Sequence, residues 1–182
     1  MRGVGRVFRP GFGMSLATDH ARMSRPRRIP GLSYIGPSRY FLTICTKERL
    51  LAFVDDAIAT PTIDQFLITA IAEGFAVLAY CLMPDHIHLL VEGTACDSDL
   101  QRFVKLSKQR SGFIFARTAR HTLWQEGYFD RVLRRDEDAK AIARYILENP
   151  VRAGIVDWPT EYRYLGSAVW DVDTLLESSA RS

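Results

Sequence analysis

Between Phe75 and Gly93 the chain carries two runs of strand-forming residues, Phe75 to Met83 and His86 to Glu92, separated only by Pro84-Asp85. Runs this close pair most simply as an antiparallel hairpin that turns at Pro84-Asp85. The rest of the chain has to be arranged around that hairpin. Upstream, Tyr40 to Thr46 is dense in aromatic and β-branched residues and reads as another strand. Residues 61–73 read as a helix: Pro61 suits a first turn, Ile63, Phe66, Leu67, Ala70 and Ile71 form an apolar stripe, and Gly74 can stop it. Downstream, Ser98 can cap a second helix running from Asp99 to Arg117, with Leu100, Phe103, Val104 and Leu106 on its buried side. A fourth strand is expected within Leu123–Leu133. Asp136 can cap a third helix, which Pro150 must end nearby. The order strand, helix, strand, strand, helix, strand, helix implies an α+β fold, a mostly antiparallel sheet with helices packed on it.

A chain of 182 residues fits one domain. Foldable pattern begins only after Pro30. Residues 1–30 are rich in Arg, Gly and Pro and are expected to be a basic, disordered tail, with 31–170 forming the domain and 171–182 a C-terminal tail. Met23 is a candidate translation start, and peptides upstream of it in the native protein would exclude that. No run approaches the roughly eighteen apolar residues a membrane helix needs, and the N-terminus lacks the apolar core of a secretory signal. A cytoplasmic protein that does not cross a membrane is expected. Cys45, Cys81 and Cys96 are odd in number, widely spaced and without a CxxC, which argues against a disulfide framework or a structural zinc site.

The net charge of +3 carries little information, but its distribution carries more. Residues 31–99 hold three basic against nine acidic side chains, whereas 100–152 hold twelve basic against six acidic. This second segment is either a solvated face or the lining of a groove for a polyanion.

Two constellations carry chemistry. In His86-Ile87-His88 the histidines are two apart on a strand, so both point to one face with Cα atoms about 6.5–7 Å apart, and both imidazoles can reach one metal. Strand histidines can also be plain hydrogen-bonded residues. In Tyr145-Ile146-Leu147-Glu148-Asn149, Tyr145 and Asn149 are one helical turn apart and share a face, which Ile142 and Ile146 would anchor on the sheet. On its own this pair also reads as a half-buried tyrosine and a helix-ending asparagine. Together the two motifs make a coherent site. A phenol, with a pKa near 10, needs help as a nucleophile at neutral pH, and a divalent cation beside it can polarise a phosphate oxygen. Two imidazoles and an amide oxygen suit Mg²⁺ or Mn²⁺ acting on a phosphate better than a closed zinc site.

Leu82-Met83-Pro84-Asp85-His86-Ile87-His88-Leu89-Leu90-Val91 resembles the His-hydrophobe-His strand of the single-tyrosine, IS200-like transposases. Tyr145-Ile146-Leu147-Glu148-Asn149-Pro150-Val151-Arg152-Ala153-Gly154 resembles the tyrosine helix of their REP-associated branch. The resemblance runs from about Tyr40 to Trp170. It implies a ferredoxin-like sheet with a C-terminal catalytic helix, and nicking and rejoining of single-stranded or hairpin DNA through a 5′-phosphotyrosine. It also implies His86 and His88 as metal ligands, Tyr145 as nucleophile and Asn149 as third ligand, where the wider group often has glutamine. Members of this branch act on repetitive extragenic palindromes, and the group includes monomers and homodimers. The basic segment then gains a use. Lys105, Lys108 and Arg110 on the second helix, with Arg131, Arg134 and Arg135 before the third, are expected to neutralise DNA phosphates. Trp124, Tyr128 and Phe129 are candidates either for base stacking or for the core.

Two other readings compete. His86-x-His88-x-x-x-Glu92 matches part of a cupin motif, but Tyr80 and Asp99 stand where that motif needs glycines, Glu92 lies roughly 13 Å along a straight strand from His88, and three helices argue against a β-barrel. A catalytically silent or domesticated DNA-hairpin-binding protein would keep the same fold.

Overall fold

The structure, a computed structural model, describes residues 34–119, 121–134 and 137–177. In chain order its elements are β1 (Arg39–Cys45), α1 (Asp56–Ala72), β2 (Phe75–Met83), β3 (His86–Gly93), α2 (Leu100–Ala116), β4 (Phe129–Val132), α3 (Ala139–Leu147), α4 (Asn149–Arg152), β5 (Leu165–Gly166) and α5 (Val172–Glu177). The hairpin forms as its spacing requires, with Met83 opposite His86 across the Pro84-Asp85 turn. The strands lie in the order β4-β1-β3-β2-β5, every neighbouring pair antiparallel. The first four strands and two helices give the expected ferredoxin-like α+β fold, and β5 extends the sheet beyond β2.

Each face of the sheet has its own helical cover. α1 and α2 pack over Leu42, Ile44, Ile87, Leu89 and Val91. α3 and α5 pack over Phe41, Cys81, Met83 and Leu90. Because β3 is central and covered on both sides, its residues are buried on both faces, which is why it reads as a nearly continuous apolar run. Alternation sends Ile87 and Leu89 to the α1/α2 layer and leaves His86, His88 and Leu90 on the α3 side. The register then fixes the neighbours of each histidine. His86 stands between Cys45 and Met83, and His88 between Thr43 and Cys81.

Several element ends differ from the sequence reading. α1 starts at Asp56, with the Asp55 carboxylate accepting the Ala57 N–H at 2.9 Å, so Pro61 is its sixth residue and not part of the first turn. Gly74, at φ +69°, is the expected stop. Asp99, not Ser98, caps α2 by accepting from Gln101 and Arg102. The Ser98 hydroxyl instead donates to the Gly74 carbonyl at 2.6 Å and ties α2's start to α1's end. Asp138 caps α3, its side chain accepting from Lys140, while Asp136 lies outside the described residues. The third helix ends at Leu147, close before Pro150 as expected. The break falls at Glu148, and Pro150 occupies the first turn of α4, where a missing N–H costs nothing. Residues 172–177, expected in a C-terminal tail, form α5, whose Leu175 is buried against the α3 layer. The expected basic tail and the Met23 start lie outside the described residues.

Phe103 is the hinge of the larger layer. It is fully buried, stacks on Phe75 at 5.1 Å and meets Phe66 edge-on at 6.4 Å, so it joins α2 to β2 and α1. Phe103→Ala is expected to cost about 3–5 kcal/mol, read by urea unfolding. A loss below about 1 kcal/mol would mean that this layer does not hold the fold together.

Candidate functional site

His86 and His88 converge. Their Nε2 atoms lie 3.0 Å apart and the rings meet edge to face, with centroids at 4.6 Å. Both side chains are almost fully buried. Their other nitrogens are held from behind. The Asp85 carboxylate accepts from His86 Nδ1 at 2.6 Å, and the Thr43 hydroxyl meets His88 Nδ1 at 2.9 Å. Phe41 stacks on the His88 ring at 5.6 Å and fixes its plane. An ionised carboxylate only accepts, so His86 carries its proton on Nδ1 and presents Nε2 as a lone pair. With His88 donating to Thr43, two lone pairs point at one another. Two imidazoles on one cation, bound at about 2.1 Å each and at 90–109° to one another, separate their nitrogens by about 3.0–3.4 Å. The pair therefore fits a single metal ion, and the partners on Nδ1 are those that ligating histidines use. Among the described residues no third histidine, cysteine or carboxylate joins them to complete a set of three.

Asp85 is shared. Its second oxygen accepts from Arg49 Nε at 2.8 Å. Burial pushes its carboxyl pKa up, but the hydrogen bond from His86 and the positive charge of Arg49 outweigh this and hold it below the usual carboxylate value. Burial also raises the Cys45 thiol, against the pull of Arg49, and raises Cys81 well above a free thiol. Neither cysteine is a ready nucleophile.

Tyr145 lies on α3, the helix that covers the histidine face. Ala143, Ile146 and Leu147 of that helix share a cluster with Phe41, Met83 and Leu90, which surround the histidines on β1, β2 and β3. Tyr145 itself is half-buried. Arg152 lies over its ring, with the guanidinium carbon 3.8 Å from the centroid. The same guanidinium donates to the Tyr145 carbonyl and pairs with Glu148 at 3.3 Å. The phenol is thus clamped by a cation from the next helix. Asn149 is one turn after Tyr145, as expected, but the helix breaks just before it. Its Nδ2 donates to the carbonyls of Tyr145 and Ile146 at 3.2 and 3.1 Å, closing the end of α3. Its Oδ1 is the atom a cation would use.

The basic residues divide. Lys105 and Arg134 are exposed. Lys108 is turned inward, with Nζ donating to the carbonyls of Gln125 and Gly127 at 2.8 and 2.9 Å, and burial pulls its pKa below the usual lysine value. Arg110 donates to the buried Thr69 hydroxyl at 3.0 Å. Arg131 pairs with Glu137. Arg135 lies outside the described residues. The α2 residues belong to the layer opposite the histidines, so Lys105, Lys108 and Arg110 do not line the His86–His88 face. Arg131 does share that face, opposite Phe41 on β1. Trp124 is core: it packs on Phe53 and Phe66, and its Nε1 donates to Ser111 at 2.9 Å. Tyr128 packs against the same layer, and Phe129 meets Phe41 edge-on. Glu92, the third residue of the cupin-like motif, pairs with Arg39 at 3.0 Å and has no place in the site.

Four contributors were missed by sequence reasoning. Asp85 was visible beside His86 but read only as a turn. Thr43 and Arg49 enter through strand register and a loop, which leave no local signal. Arg152 follows Tyr145 by seven residues, two helical turns, and that spacing was readable.

A family model described as transposase IS200 like matches residues 37–149. A protein of Haemophilus influenzae named "Putative REP-associated tyrosine transposase" is 27% identical over 135 residues, which cover 66% of this chain and 76% of that protein. Among solved structures, a REP-associated tyrosine transposase bound to a REP hairpin superposes with a TM-score of 0.64 at 20% identity, covering 79% of this chain and 82% of that one. That likeness is one of fold.

Proposed function

The chain belongs to the IS200-like transposase family, and from that premise we propose that it cuts and rejoins single-stranded DNA with Tyr145 as the nucleophile. The observation that carries this reading is the convergence of His86 and His88, Nε2 to Nε2 at 3.0 Å, on the sheet face that the tyrosine's helix covers. Tyr145 Oη attacks a backbone phosphorus, and the bond from phosphorus to the 3′ oxygen breaks. The phenolic proton is lost and the leaving oxygen takes one up. The products are a free 3′-hydroxyl and a 5′-phosphotyrosine, so the ester bond is conserved and a 3′-hydroxyl can later reverse the step without ATP. Arg152 keeps the phenol in one orientation and sets a positive charge beside it. His86 and His88, with Asn149 supplying an amide oxygen, would hold a divalent cation, Mg²⁺ or Mn²⁺. When bound, that ion supplies positive charge to a phosphate oxygen as negative charge develops there.

The substrate we propose is a DNA hairpin with a single-stranded flank, supported by the fold shared with a transposase bound to a REP hairpin. Lys105, Arg131 and Arg134 remain the candidates for phosphate contacts, with the protein acting as a monomer or homodimer in the cytoplasm. No helix among the described residues is long and apolar enough to cross a membrane.

Incubation of the full chain with a labelled hairpin oligonucleotide and Mn²⁺ is expected to give a discrete cut. EDTA should abolish it and fresh Mn²⁺ restore it. Cleavage that persists in EDTA would remove the metal from the reaction. A silent hairpin-binding protein would retard the oligonucleotide on a native gel and leave it whole.

A further inference from the structure

The segment between β1 and α1 has an unusual backbone. Glu48 and Arg49 are consecutive, neither is glycine, and both sit in the left-handed region, at φ 55° and 59°. L-residues hold that conformation only where the surroundings enforce it. Thr46 does much of the enforcing. Its hydroxyl donates to the carbonyls of Leu50 and Asp85 at 2.8 and 2.9 Å, and its N–H donates to the Asp85 carbonyl at 2.9 Å. Phe53 N–H reaches the Pro84 carbonyl at 3.0 Å. The segment is thereby bolted to the Pro84-Asp85 turn. The left-handed pair folds Arg49 back over the end of β1, where Nε meets Asp85 Oδ2 at 2.8 Å and Nη1 meets Cys45 Sγ at 2.9 Å. The other oxygen of Asp85 holds His86 Nδ1.

We infer that Arg49 and Asp85 are positioning residues for metal binding, a clasp in which the strained turn presents Arg49 to Asp85 and Asp85 fixes the tautomer and ring orientation of His86. The inference rests on the metal-binding reading of His86 and His88 given above. Its physical basis is general. An imidazole that donates one N–H to a carboxylate is a stronger and better-aimed ligand through its other nitrogen. A carboxylate bridging a guanidinium and an imidazole is itself fixed in plane by the two-point contact. The partner that Thr43 gives His88 is a neutral hydroxyl, whereas the partner that Asp85 gives His86 is a carboxylate.

The test is a calorimetric titration of the full chain with Mn²⁺, with thermal unfolding in EDTA confirming that each variant is folded. Wild type is expected to bind one Mn²⁺. Asp85→Asn should bind it about 10–100-fold more weakly, the usual effect of losing an outer partner of a ligating histidine. Arg49→Gln should weaken binding in the same direction, and Arg49→Lys should recover part of the loss. Equal affinity in wild type, Asp85→Asn and Arg49→Gln overturns the clasp and leaves the metal site standing. Wild type that binds no Mn²⁺ overturns both. A second measurement needs no variant: long-range ¹⁵N–¹H correlations of the metal-free protein should show His86 protonated at Nδ1. Protonation at Nε2 overturns the clasp.

Discussion

Tyr145→Phe is expected to eliminate the SDS-resistant adduct between the protein and single-stranded DNA, lowering its formation by at least about 10³-fold, because no other group takes over from a deleted nucleophile. The substitution removes one oxygen atom. The ring stays half-buried and stays beneath the Arg152 guanidinium, whose hydrogen bond goes to the backbone carbonyl of residue 145 and not to the phenol. Folding and hairpin affinity should therefore be close to wild type, and the loss should fall on the chemical step. Competing tyrosines are badly placed to substitute. Tyr162 donates its hydroxyl to the Leu82 carbonyl at 2.7 Å and burial raises its pKa, while Tyr40 is fully buried under the other layer. An adduct that forms undiminished in Tyr145→Phe would assign the nucleophile elsewhere.

His86→Ala has the second largest expected effect. Charge stabilisation by a bound cation is worth several kcal/mol, so losing one of its two imidazoles should slow cleavage by about 10²–10⁴-fold. The truncation also leaves the Asp85 carboxylate paired with Arg49 alone. Hairpin binding should survive, because the contacts proposed for it, Lys105, Arg131 and Arg134, lie on α2, on β4 and just after β4, and the truncation removes none of them. Single-turnover cleavage beside a binding titration separates the two quantities. Cleavage at wild-type rate in folded His86→Ala would place the histidine pair outside the reaction.

The ferredoxin-like core was legible because its signals are local. The Phe75–Glu92 hairpin needed only two strand-forming runs and a two-residue gap. The His86–His88 face followed from strand period. Boundaries were harder, since several polar residues compete to cap each helix. Ser98 stands next to Asp99, and which of them caps α2 is decided by the Ser98 hydroxyl finding the Gly74 carbonyl across the layer. α5 and β5 were invisible because each is short and draws its place from packing against α3 or β2. The basic segment misled in part. Charge along the chain says nothing of which side chains turn inward, and Lys108 spends its ammonium on two loop carbonyls. The supporting shell of the histidines was the least readable, for Thr43 and Arg49 reach them through tertiary register alone.

The central claim is that Tyr145 becomes covalently joined to DNA. Trapping wild-type protein on a hairpin oligonucleotide in Mn²⁺, digesting both components and sequencing the modified peptide by mass spectrometry tests it directly. The expected result is a nucleotide-5′-phosphate on Tyr145, within the peptide that follows Arg144. A nucleotide on another residue, or cleavage with no covalent species at any time point, would contradict it.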